Sequence, residues 1–196
     1  MDNRAGSVTR RTERQIDRFA NDLRQNFGVG PGDRLAMQPI LEFALDDMVD
    51  GAYFRVVNDG ELGGAEGRTD WHQPVITLAA STYAALKLGN PRARMTVAHE
   101  LGHLLLHTRQ PVYHYRSKSK DCHVDPEWQA DYFAATLLMP ANAFRKMRTV
   151  KQAMKTFGVS RGAALRRGRT LNHRLIDDLV RAPLAKKKGA SKRQTP

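Results

Sequence analysis

Val97-Ala98-His99-Glu100-Leu101-Gly102-His103 sets a His-Glu-x-x-His pattern inside an apolar run. Histidines four apart on a helix lie about one turn from each other on the same face. Both imidazoles then reach one metal ion, and the glutamate between them stands beside the open coordination position. The pattern predicts a zinc site with hydrolytic chemistry, in which His99 and His103 are ligands and Glu100 is a base.

The surrounding residues predict a buried helix. Asn90 and Pro91 have the chemistry of an N-cap and a first helical position, and the helix they open extends to about His107. Met95, Val97, Ala98, Leu101, Leu104, Leu105 and Leu106 surround it almost completely, which places it centrally. Isolated core histidines are usually satisfied by hydrogen bonds. Two histidines and a carboxylate desolvated together are costly without a cation, which favours a metal over a structural pair.

A catalytic zinc site takes three protein ligands and one water. His107 stands about 6 Å beyond His103 along the helix axis and is rotated off the shared face, so it is expected to pack or to meet substrate. The better candidate is Glu127, in the first turn of a helix capped by Asp125, opened by Pro126 and continuing to Met139. Glu127, Ala130, Asp131 and Ala134 share a face of that helix. The alanines allow close approach, and Asp131 is placed to accept the outer ring N–H of a ligating histidine.

The rest of the chain predicts one domain with tails. Its 196 residues, 41% hydrophobic, suffice for one full core. Residues 1–11 lack hydrophobic periodicity and are expected to be disordered. Thr12 and Gln15 form a capping box for a helix with Ile16, Phe19, Ala20, Leu23 and Phe27 on one face and Gly28 as its stop. A second, shorter helix starts near Pro39. Residues 53–57 and 74–78 are strand-like and predict a small twisted sheet. Residues 12–140 are expected to form the catalytic domain, 141–181 a basic helical element and 182–196 a disordered basic tail.

Cys122 is the only cysteine, the N-terminus lacks an apolar signal region, and no run approaches a membrane span. These features predict a cytoplasmic protein without membrane partners. The net charge of +12 is uneven: residues 141–196 hold 16 basic residues against Asp177 and Asp178, while residues 1–140 hold 16 basic against 18 acidic. Within that basic part, residues 150–157, Gly158-Val159 and a helix capped by Ser160 resemble a helix-turn-helix unit. Arg161, Arg166, Arg167 and Arg169 would make its second helix basic. Either it contacts DNA, or it packs on the catalytic domain with its arginines outward.

His99-Glu100-Leu101-Gly102-His103-Leu104-Leu105, then Glu127-Trp128-Gln129-Ala130-Asp131-Tyr132-Phe133-Ala134-Ala135 and Leu137-Leu138-Met139-Pro140, resemble the ImmA/IrrE family of bacterial zinc metallopeptidases. The lead Arg92-Ala93-Arg94-Met95-Thr96-Val97-Ala98 and the later Phe157-Gly158-Val159-Ser160 are similar to it as well, so the resemblance spans roughly residues 40–170. It implies an α+β, zincin-like metallopeptidase fold, with a small twisted sheet packed on the zinc-binding helix and a C-terminal helix-turn-helix-like element. It also implies Glu127 as the third ligand. Gln129 stands where many members carry an acidic residue, which leaves Glu127 as the carboxylate ligand.

Glu100 would then take a proton from zinc-activated water. Tyr113, His114, Tyr115 and His123 are the candidates for an oxyanion donor; the sequence does not rank them, and residues of these types are more often ordinary surface or packing residues. An extended substrate is expected along the Val75–Leu78 edge, by analogy with zinc peptidases in general. Two functions follow. In the first, implied by the resemblance, a zinc endopeptidase cleaves a partner transcriptional repressor, one with a helix-turn-helix, and relieves repression under stress or during mobile-element induction. In the second, a catalytically silent zincin-fold regulator acts through its basic C-terminal segment on DNA or an acidic protein.

Overall fold

The computed structural model describes residues 8–70, 72–108 and 121–179, an α+β arrangement of nine α-helices and one three-stranded sheet among the described residues. Helix α1 (Glu13–Asn26) begins at Thr12, whose hydroxyl accepts from Gln15 N–H while the Gln15 side chain accepts from Thr12 N–H. Gly28, with φ +66°, lies just beyond its end. After α2 (Met37–Phe43) and the single turn α3 (Leu45–Met48) come strands β1 (Tyr53–Val57), β2 (Gly67–Asp70) and β3 (Val75–Ala79).

The strand order is β1-β3-β2, with β1 parallel and β2 antiparallel to β3. β3 is therefore the middle strand, and all five of its residues are buried. This overturns the expected docking of substrate along Val75–Leu78, because both ladders of that strand are already filled. β2 carries no strand signal of its own in the sequence. Gly67-Arg68-Thr69-Asp70 lacks the β-branched run that marks β1 and β3, and tertiary pairing overrides its weak propensity.

Helix α4 (Ala80–Lys87) leads through Asn90 into α5 (Pro91–His107), and Asp125 caps α6 (Pro126–Leu138). Asn90 Oδ1 accepts from the N–H groups of Arg92 and Ala93. Asp125 Oδ1 does the same for Glu127 and Trp128. The α5–α6 crossing is tight. A Cβ added at Gly102 would come within 3.1 Å of Ala130 Cα and 3.0 Å of the Phe133 ring. A glycine facing an alanine thus sets the distance between the two helices that carry the motifs.

Beyond α7 (Ala141–Phe144), helices α8 (Val150–Phe157) and α9 (Arg161–Thr170) are joined through Gly158, φ +64°. Phe144, Val150, Ala153, Phe157, Val159 and Ala164 belong to the same apolar core as Val97 and Leu101 of α5. Arg94, 4% exposed, ties the two regions together. It donates to the carbonyls of Leu35, Phe157 and Gly158 across 2.9, 3.1 and 3.1 Å. The arginines of α9 do not all face outward as expected. Arg167 is 1% exposed and donates to the Met139 carbonyl at the end of α6, where the helix leaves carbonyls without intrahelical partners.

Residues 8–11, expected to lack order, lie against the turn before α6. Val8 is buried, and its N–H donates to the Val124 carbonyl across 3.1 Å. One apolar side chain and a few main-chain bonds leave no periodicity for a sequence to display. The expected tail 182–196 lies outside the described residues. No described helix is long and apolar enough to cross a membrane.

Candidate metal centre

α5 and α6 bring the side chains of His99, His103 and Glu127 to one point. The two Nε2 atoms are 2.9 Å apart, Glu127 Oε2 lies 3.3 Å from His99 Nε2, and Oε1 lies 3.4 Å from His103 Nε2. Ligands about 2.0–2.1 Å from a tetrahedral ion stand about 3.3–3.4 Å from one another, so the three groups are close to the spacing a zinc ion demands. They could hold such an ion.

The outer nitrogen of each histidine is also engaged. His99 Nδ1 lies 3.0 Å from Asp131 Oδ1, one helical turn beyond Glu127. A carboxylate accepts only, so Nδ1 carries the proton and Nε2 turns inward. His103 Nδ1 lies 3.1 Å from His107 Nδ1, and His107 Nε2 lies 3.2 Å from Gln129 Oε1. His107 and Gln129 are both fully buried.

The charges reflect this arrangement. Burial opposes the charged form of His99, but hydrogen bonds to Asp131 and Glu127 outweigh it and push its pKa up to about 10. The hydrogen bonds from His103 and His99 hold the Glu127 carboxyl well below the usual carboxylate range. A positive charge is favoured at the centre of the cluster.

Glu100 is buried and faces the sheet. The Thr69 hydroxyl of β2 lies 2.7 Å from Glu100 Oε2 and 3.0 Å from the Glu100 carbonyl oxygen. Gly67 of the same strand leaves room for the side chain, since an added Cβ would stand 3.0 Å from Glu100 Cγ and 3.3 Å from Oε1. Thr69, His107 and Gln129 were not singled out for these contacts from the sequence. No motif spacing connects Thr69 with Glu100, which meet only because β2 pairs beside α5.

Tyr113, His114 and Tyr115 lie outside the described residues. His123 does not stand free as an oxyanion donor: its Nδ1 lies 2.8 Å from Asp121 Oδ1 and its Nε2 3.0 Å from Glu13 Oε2. Asp121, Cys122 and His123 form a second group of potential ligands. There the Arg10 guanidinium already provides the cation, 3.0 Å from Asp121 and 3.2 Å from His123.

Two imidazoles, a carboxylate and a buried glutamate on a crossed helix pair form a donor set of the kind used by metal-dependent hydrolases. The chain belongs to the Peptidase M78 family, whose IrrE N-terminal-like domain matches residues 65–168, from β2 through the site to α9. No curated protein matches the chain significantly. Among solved structures, a Mycobacterium tuberculosis transcriptional regulator is similar at 16% identity and a TM-score of 0.48, over 78% of this chain and 46% of that one. The chain thus spans less than half the length of that protein.

Proposed function

We propose that this protein is a zinc-dependent endopeptidase of the cytoplasm that cleaves a partner transcriptional repressor, one with a helix-turn-helix, and so relieves repression under stress. The convergence of His99 Nε2, His103 Nε2 and the Glu127 carboxylate beside Glu100 carries this reading. His99 Nε2 and His103 Nε2 stand 2.9 Å apart, close enough to share a proton, and a cation held by both would take the place of that proton. When bound, zinc supplies polarisation of a peptide carbonyl and a water acidic near neutral pH.

Glu100 acts as general base, taking the proton of the attacking water and returning it to the departing amine. Thr69 holds Oε2, which leaves Oε1, over Gly67, as the oxygen that exchanges the proton. An extended peptide pairs with the outer edge of β2, the strand that meets Glu100. Choice of a repressor as substrate draws its support from the family resemblance.

The test is Glu100→Gln in the full chain, with a repressor encoded beside it as substrate. The variant is expected to keep one equivalent of zinc and to lose cleavage. Cleavage at the wild-type rate would refute the role of Glu100.

For the alternative, a silent regulator binding DNA through its basic segment, two of the four arginines of α9 are already engaged within the fold. Arg167 is buried and Arg161 pairs with Asp177. Arg166 and Arg169 remain exposed. Salt-sensitive DNA binding abolished by the pair Arg166→Glu and Arg169→Glu would favour that alternative.

A further inference from the structure

The polarity of the hydrogen bonds behind His103 is fixed from their far end. Gln129 Nε2 lies 2.9 Å from the Thr9 carbonyl oxygen and 2.6 Å from that of His123. Carbonyl oxygens only accept, so the NH2 end of the amide faces them and Oε1 faces His107. Oε1 also only accepts, so His107 Nε2 carries a proton. His107 is fully buried, which favours the neutral ring, and with its one proton on Nε2 its Nδ1 is an acceptor. His103 Nδ1, 3.1 Å away, must donate to it.

We propose that His107 and Gln129 are positioning residues for the metal. They form a one-way chain of hydrogen bonds, anchored on the carbonyls of Thr9 and His123, that keeps the proton of His103 on Nδ1 and its Nε2 lone pair toward the ion. This rests on the assignment of His99, His103 and Glu127 as ligands. Asp131 does the same for His99 from a side chain 64% exposed, whereas the His103 branch is buried throughout. The buried branch needs an amide at 129, because a carboxylate there cannot donate to either carbonyl. It also makes residues 8–11 part of the support, since the Arg11 N–H shares the His123 carbonyl with Gln129.

The test uses the full chain and zinc alone, against a competing chromophoric chelator. His107→Phe fills the space without accepting a hydrogen bond, and is expected to weaken zinc binding about 10- to 100-fold, as is Gln129→Met. His107→Gln, whose amide accepts from His103 and donates to Gln129, is expected to remain within about threefold of wild type. Folded His107→Phe that binds zinc as tightly as wild type overturns the proposal. Wild-type protein that binds no zinc overturns the ligand assignment itself, a separate failure. Where His107→Phe does not fold, long-range ¹⁵N–¹H spectra of zinc-loaded wild type decide. A proton on His103 Nδ1 supports the chain of bonds, and its absence there overturns it.

Discussion

Thr69 on β2 and Glu100 on α5 are joined by a 2.7 Å hydrogen bond from hydroxyl to carboxylate oxygen. That bond fixes which Glu100 oxygen is free to accept a proton. Thr69→Val keeps the shape and removes the donor. A hydrogen bond to a charged group contributes about 1.5–3 kcal/mol, so kcat is expected to fall at least about tenfold with zinc content unchanged. Peptide cleavage and metal analysis on the same sample check this, and unchanged kcat removes Thr69 from the machinery.

Gly102 faces Ala130 and Phe133 at distances tighter than a methyl group ordinarily makes, so an added Cβ would need both neighbours to shift. Gly102→Ala should force α5 and α6 apart at a cost of about 1–3 kcal/mol, and move Glu127 away from the histidines. Urea midpoints and zinc affinity are expected to drop together. A variant with full affinity would show that the crossing has slack.

Arg94 serves three main-chain carbonyls from a buried position. Arg94→Met strands those carbonyls, with a loss of about 3 kcal/mol or more. Arg94→Lys is expected to recover little, since one ammonium cannot reproduce the guanidinium fork. Equilibrium unfolding of both variants checks the comparison.

His107 introduces a pH dependence whose sign is set by its burial. Its folded pKa, about 3, lies below the unfolded value of about 6.5. The unfolded chain therefore binds the proton first as pH falls. The contribution of the neutral buried ring is complete above about pH 6.5 and declines toward pH 3. Relative to His107→Gln, metal-free wild type should lose about 2 kcal/mol between neutrality and about pH 5. Urea titrations at the two pH values would expose a constant difference if the ring were already protonated inside.

Metal removal gives a further check. At zinc concentrations about 100 times Kd, binding should stabilise the fold by about 2.7 kcal/mol, a gain that a chelator reverses. Glu127→Ala should shrink the shift in melting temperature, and a full shift in that variant would place the ion elsewhere.

Local chemistry made α1, α5, α6 and α9 readable from sequence, because Thr12, Asn90, Asp125 and Ser160 each cap a helix with their own side chain. His99, Glu100 and His103 were readable because their spacing and the helical turn coincide, and Glu127 and Asp131 because they share a face of α6. What escaped depends on contacts distant in sequence. Thr69 meets Glu100 through a strand with little propensity of its own, and Gln129 joins Thr9 to His107 across 120 and 22 residues. Arg167 looked like surface charge because a buried arginine and an exposed one have the same local signature. The Met139 carbonyl, Asp17 and the Tyr132 ring, all distant in sequence, tell them apart.

The anchoring of Arg94 on the carbonyls of Phe157 and Gly158 bears on how such a chain can be rearranged. The α8–α9 segment is not a cassette that gene fusion can exchange at Pro140 while the upstream part keeps its shape. A chimera cut there would replace Phe144, Val150 and Phe157, which line the same core as α5, and leave the guanidinium at the head of that helix facing foreign backbone. Swaps of specificity between relatives should therefore succeed in the loops and fail at that junction.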